Sequence, residues 1–96
     1  MKIRLSQFAE DDLQISIDHY NSQKENLGFE FINEVDNTFK RIKENYKQFP
    51  IIYKNVRKAN INRFPFNIFF IIESTQVFIL GIFHSSRNPK EMKRRN

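Results

Sequence analysis

Ninety-six residues at 40% hydrophobic and 28% charged describe one small globular domain spanning 1–96, which excludes a disordered chain and a multidomain enzyme. The absence of cysteine rules out a disulfide framework and a thiolate metal site, and no apolar run nears the roughly 18 residues of a membrane span. The net charge of +5 is uneven: residues 1–50 hold seven Lys/Arg and nine Asp/Glu, whereas residues 51–96 hold nine Lys/Arg and two Asp/Glu. A basic second half invites nucleic acid, a ribosome or an acidic protein segment.

The chain opens on "KIRLS", where Ile3 and Leu5 alternate with Lys2 and Arg4 as a short half-buried strand. The following "SQFAEDD" lacks the apolar stretch that a signal peptide needs, so a cytoplasmic location is expected. Ser6 is placed to cap a helix, and Glu10, Asp11 and Asp12 suit the positive end of its dipole. The two aspartates read as helix-start charges, not as a metal pair. Ala9, Leu13, Ile17 and Tyr20 share one face of this helix, which ends in "NSQKEN". His19 has no acid or second His at metal spacing and is assigned no role. A longer helix starts near Gly28, with Phe31, Ile32, Val35, Phe39, Ile42 and Tyr46 as its stripe, and Phe49-Pro50 ends it. Two such helices joined by a short loop form an antiparallel hairpin.

Beyond Pro50 the period becomes two. "VRKANIN", "FNIFFII" and "VFILGIF" read as three strands, the last two joined across "ESTQ". The order β-α-α-β-β-β predicts an α+β fold, a helical hairpin packed on a mainly antiparallel sheet. With Ser74-Thr75 as a two-residue turn, Ile72 faces Val77, Phe70 faces Ile79, Ile68 faces Gly81 and Phe66 faces Phe83. That face belongs under the helices. By parity His84 then emerges on the opposite face near Asn67, above an apolar patch of Phe69, Ile71, Phe78, Leu80 and Ile82. A patch of this kind marks a partner site unless the ends of the chain cover it. A one-residue slip in register reverses the assignment.

Few residues carry chemistry. His84, Arg87, Arg63, Arg57 and Lys54 all lie in the basic half. RNA cleavage by a 2′-hydroxyl needs an acid, a base and a cation; His84 with Arg87 or Arg63 has the right groups, without metal. The alternative is a histidine bonded to backbone at a strand end and arginines that are merely solvated. With two glycines the chain has no phosphate-binding loop, and no cofactor is expected. The tail "NPKEMKRRN" is either a short helical turn or a loose basic end, suited to an acidic partner or nucleic acid.

The element order, "VRKANINRFPFNIFFIIES", "VFILGIFHSSRNP" and the closing "KRR" resemble the RelE/ParE superfamily of toxins from bacterial type II toxin–antitoxin pairs. The resemblance covers nearly the whole chain and is sharpest at Arg57, the Phe64-Pro65-Phe66 turn, and His84 with Arg87 and Pro89. It implies one of two activities. RelE-like members cleave mRNA in the ribosomal A site; ParE-like members bind and poison DNA gyrase. In the nuclease branch an Arg usually follows the aromatic that opens the third strand, where this chain has Asn67, and a catalytic Tyr often closes the chain, whereas none follows Tyr53. An amide cannot replace the charged fork of a guanidinium. "HSSRNP" is closer to the ParE-like branch, although the usual Trp after the proline is Met92. The resemblance therefore implies a ParE-like toxin that is neutralised by an antitoxin. Arg57, Arg63, Asn67, Phe69, Phe78, Leu80, His84 and Arg87 would form the target- or antitoxin-binding surface. The runner-up is a ribosome-dependent endoribonuclease with His84 as acid/base and Arg57, Arg63 or Arg87 on the phosphate, and the third reading is a degenerate toxin that keeps only antitoxin binding.

Overall fold

The computed structural model of the protein describes residues 1–95. In chain order the elements are β1 (Lys2–Leu5), α1 (Gln7–Gln23), α2 (Leu27–Asn45), a 3₁₀ turn (Tyr46–Gln48), β2 (Ile51–Tyr53), β3 (Val56–Asn60), β4 (Phe66–Glu73), β5 (Gln76–His84) and the short α3 (Lys90–Lys93). The five strands form one sheet in the order β1-β5-β4-β3-β2. Only β1 runs parallel to its neighbour; the other pairings are antiparallel. The predicted α+β arrangement, a helical pair on a mainly antiparallel sheet, is present. β2 is an addition. It has three residues and an exposed edge, too short for alternation to reveal it.

Ser6 turns the chain from sheet to helix. Its N–H donates to the Ile79 carbonyl at 3.0 Å, and its Oγ accepts the Ala9 N–H at 3.0 Å. Such a cap is worth about 1 kcal/mol. At the other end of α1, Asn21 Oδ1 accepts the Gly28 N–H at 2.9 Å and so caps the start of α2. A Cβ on residue 28 would lie 2.5 Å from that oxygen, which is why glycine stands there.

The helical pair buries its stripes on one face of the sheet. Ala9, Phe31, Val35 and Ile42 are fully buried against Ile68, Phe70, Val77, Ile79 and Ile82. Tyr20, Phe31, Phe64 and Phe66 pack their rings with centroids 4.9–6.0 Å apart, in tilted and edge-to-face arrangements. Aromatic pairs of this kind add about 0.5–1.5 kcal/mol each beyond their area.

The β4–β5 hairpin departs from the predicted register halfway along. Glu73 pairs with Gln76 around Ser74-Thr75, Ile72 with Val77 and Phe70 with Ile79, as expected. The next pair is Phe69 with Gly81, so Leu80 is an extra residue in a β-bulge. From there Ile68 faces Ile82, Asn67 faces Phe83 and Phe66 faces His84, not the expected Ile68–Gly81 and Phe66–Phe83. One inserted residue exchanges the faces of everything after it. Ile82 joins the core under the helices, Phe83 moves to the opposite face, and His84 leaves on the same side as Phe66, with ring centroids 5.2 Å apart. The expectation that His84 lies on the face away from the helices is therefore corrected.

That opposite face is not open. Val56, Phe69, Ile71, Leu80 and Phe83 form a second core with Met92 of α3, and Met92 is 1% exposed. The tail after Pro89 folds back as a helical turn and covers the sheet. Phe69 at 3% and Leu80 at 2% exposure are core residues, so neither offers a partner an open patch, and Phe78 is half-buried at its edge.

Candidate functional site

β5 delivers His84 to the surface, and the loop after it carries Ser85 to Pro89 into α3. The bulge shapes this end of the strand. Asp12, on the buried side of α1 and 7% exposed, accepts the Ile82 N–H on Oδ2 at 3.0 Å. Arg95 donates to the same oxygen at 2.6 Å and to the Leu80 carbonyl at 3.2 Å. The backbone groups that the bulge releases from the ladder are thus met by a carboxylate from α1 and a guanidinium from the tail, as buried polar groups require. Arg87 donates to Asp12 Oδ1 at 3.2 Å and to Glu91 Oε2 at 2.7 Å, and its guanidinium lies 4.0 Å from the centre of the Phe83 ring. Partial burial works against its charge, but hydrogen bonds and charge from Glu91 and Asp12 outweigh it and hold its pKa above the ordinary arginine value.

The predicted site residues divide into separate groups. Asn67 and Phe69 line a cleft of about 460 Å³ on the sheet face that α3 covers; His84 and Arg87 border it from the strand end and also border a hollow on the helix side with Asp12, Phe66 and Ile82. Arg57 lies elsewhere. It pairs with Phe70, four residues along β4 from the partner of His84, about 13 Å at a strand's rise. Its guanidinium donates to the Phe49 carbonyl at 2.7 Å and stacks over Tyr46 at 5.4 Å, tying the 3₁₀ turn to β3. Arg63, in the left-handed region at φ 71, pairs with Glu30 of α2 at 3.0 Å. Phe78 pairs with Ile71 near the turn end of β5, far from His84.

His84 is itself exposed. The Ser86 N–H donates to its Nδ1 at 3.0 Å, and Ser86 Oγ lies 2.8 Å from the same atom. A neutral ring held in this way carries its proton on Nε2, which has no partner among the described residues and is free to donate outward.

Lys58 had no signal in the sequence, whereas Lys90 and Lys93 belong to the basic tail already read as suited to an acidic partner or nucleic acid. Lys58 of β3 and Lys90 and Lys93 of the tail share the cleft with His84, Asn67 and Ser85. Lys93 Nζ sits 4.6 Å from the centre of the Tyr53 ring, a cation–π contact. Among the described residues the ion pairs join Arg63 to Glu30, Arg87 to Asp12 and Glu91, and Arg95 to Asp12, whereas these three lysines enter none. Of the arginines singled out from the sequence, Arg63 and Arg87 are thus paired with acids, Arg57 is bonded to a carbonyl, and the cleft's lysines carry charge that no described acid meets. Asp12 had a readable signal. With Ala9 and Ser16 it falls at i, i+3 and i+7, a helix face of buried positions, not of solvated acids. No group of three or more His, Asp or Glu is placed to hold a metal ion among the described residues.

A chain of a solved structure titled "Chromosomal ParDE TA system from P. aeruginosa" superposes with a TM-score of 0.76 at 22% identity, over 88% of this chain and 95% of that one. This likeness establishes the shared fold. No curated protein sequence matches significantly. The family profile described as the ParE toxin of type II toxin–antitoxin system, parDE, matches residues 3–89. With nearly the whole length matched, this chain belongs to the ParE toxin family.

Proposed function

We propose that the chain is a ParE-like toxin that arrests growth by binding DNA gyrase and is neutralised by a cognate antitoxin. Family membership supports the toxin role, and the ParDE system named for the similar structure supports pairing with an antitoxin. The observation that carries the choice of binding over cleavage is the state of the arginines. A nuclease needs a guanidinium free to meet the charge developing on phosphate. Arg87 is held by Asp12 and Glu91, Arg57 by the Phe49 carbonyl and Arg63 by Glu30, and Asn67 stands where the nuclease branch has arginine. His84 and Asn67, together on the rim of the cleft, are the proposed target contacts, with Arg63 as an exposed flank. The basic second half suits an acidic antitoxin segment. The free sheet edge at β2, where Ile51 and Ile52 are 54% and 41% exposed, is the proposed place for its apolar residues.

One observation favours the endoribonuclease reading: His84, whose Nε2 has no partner among the described residues, borders a cleft that is also lined by lysines. Induction of the toxin without antitoxin separates the alternatives. Gyrase-trapped DNA breaks and a DNA-damage response with intact mRNA are expected. Codon-specific mRNA cuts that vanish in His84→Ala overturn the gyrase reading in favour of the nuclease, and harmless expression of folded protein leaves a degenerate antitoxin-binding module.

A further inference from the structure

We propose that the cleft beneath α3 grips the phosphate backbone of a DNA strand. Its charge is the first argument. Lys58, Lys90 and Lys93 converge on it from β3 and from the tail, and no Asp or Glu is among the described residues that line it. None of the three is paired with a carboxylate among the described residues. The fold has acids close by, but Asp12 and Glu91 are taken up by Arg87 and Arg95. The lysine charge is thus left uncompensated at one concave surface, where low-dielectric walls concentrate its field.

The second argument is the kind of hydrogen-bonding group on offer. The lysine ammonium groups donate, and none of them accepts. Asn67 and Ser85 can do either. A deoxyribose-phosphate backbone offers acceptors alone, so it satisfies this lining. An acidic peptide brings a backbone N–H at each residue and needs acceptors that the cleft has in short supply. The volume, about 460 Å³, falls in the range of small-ligand sites and accommodates a nucleotide or two, not a folded surface. The apolar wall formed by Ile52 and the half-buried Tyr53 gives a sugar or base edge something to rest on. Nothing in this site reads sequence, so binding is expected to be independent of base composition.

The choice of DNA among polyanions rests on the gyrase reading above, since that target works on DNA. The test uses the full chain and a fluorescently labelled 12-mer of thymidine, without gyrase, followed by anisotropy between 50 and 200 mM salt. Three lysine–phosphate contacts at about 0.7 counterions each predict a log–log salt slope near −2. The combined Lys58→Ala, Lys90→Ala and Lys93→Ala variant, checked for folding by circular dichroism, should bind at least tenfold more weakly and lose most of that slope. A control changing Lys24 after α1, Lys40 in α2 and Lys47 in the 3₁₀ turn to Ala, none of which lines the cleft, should bind as wild type does. Wild-type affinity in the cleft variant overturns the inference. So does a uridine 12-mer bound much more tightly than the thymidine one, or a poly-glutamate peptide bound equally well, which would assign the cleft to RNA or to an acidic protein segment. A toxin that traps gyrase but binds no oligonucleotide sinks this inference alone; one that binds DNA but leaves gyrase untouched sinks the gyrase reading alone.

Discussion

The two faces of the sheet are built by opposite means. Under the helices, two elements of 17 and 19 residues lay apolar stripes against β4 and β5, and the core there is a continuous aromatic and aliphatic layer. On the other face one side chain, Met92, comes from a four-residue helical turn, and the rest of the cover is cationic. Arg87 and Arg95 lie over the Phe83 ring and Lys93 over Tyr53. A long helix supplies burial through many residues, each replaceable in part. A short turn has to be anchored by a few specific contacts, and here the anchor is the Asp12 carboxylate.

The sharpest way to separate the faces is to truncate one residue in each. Phe31→Ala removes a fully buried ring that packs against Tyr20, Phe64 and Phe66. The expected loss is roughly 3–5 kcal/mol, large enough to unfold much of the population at room temperature. Met92→Ala removes an equally buried side chain, but α3 can detach without unfolding the rest. The expected loss is nearer 2 kcal/mol, with amide exchange raised in residues 85–95 alone. Urea melts and hydrogen exchange on both variants measure the difference; equal global losses would mean that the tail belongs to one cooperative unit with the helices.

Next in size is the anchor. Asp12→Ala leaves the Arg95 guanidinium, the Arg87 Nη1 and the Ile82 N–H without their acceptor in a largely buried place. Breaking a buried pair from one side costs about 3 kcal/mol or more. Asp11→Ala, at an exposed neighbouring position whose side chain accepts a bond from Gln7, is expected to change stability by less than about 0.5 kcal/mol. A thermal melt of the two variants reads the contrast. Similar shifts would show that Asp12 acts as one more helix-start charge, like Asp11.

The legible and illegible parts of the molecule follow the same division. Both helices, the order of the main elements and the first pairs of the last hairpin could be read, because hydrophobic period and turn residues are local signals. Family resemblance at Arg57, Phe64-Pro65-Phe66 and the stretch from His84 to Pro89 was legible as well. The face on which His84 emerges was not, because parity fails at a bulge. Nor was the burial of Phe69 and Leu80, because their cover depends on Asp12, Arg87 and Arg95, separated by 75 to 83 residues in sequence. The partition of charge was equally hidden: Arg63, Arg87 and Arg95 pair with acids of the chain while Lys58, Lys90 and Lys93 enter no ion pair among the described residues, and all are simply basic residues in a string.

One signal for the bulge was present in Gly81, a lone glycine inside an otherwise apolar strand. A Cβ at this position would lie 2.6 Å from Arg95 Nη1, 2.8 Å from Phe83 Cε1 and 3.3 Å from Asp12 Oδ2. Glycine thus lets the tail arginine approach the strand and close on Asp12. Gly81→Ala is expected to cost about 1–3 kcal/mol, the range for forcing volume into a packed site. Arg95 is flexible at its far end, but its bond to Asp12 at 2.6 Å resists a shift. The clash and the anchor are therefore coupled. In an Arg95→Met background the cost of Gly81→Ala should fall by about 1 kcal/mol, the non-additivity expected of residues in contact. A double-mutant cycle by urea unfolding measures it. Strict additivity would place the clash on the Phe83 ring, and the glycine would then serve the packing of the far face without any part in seating the tail.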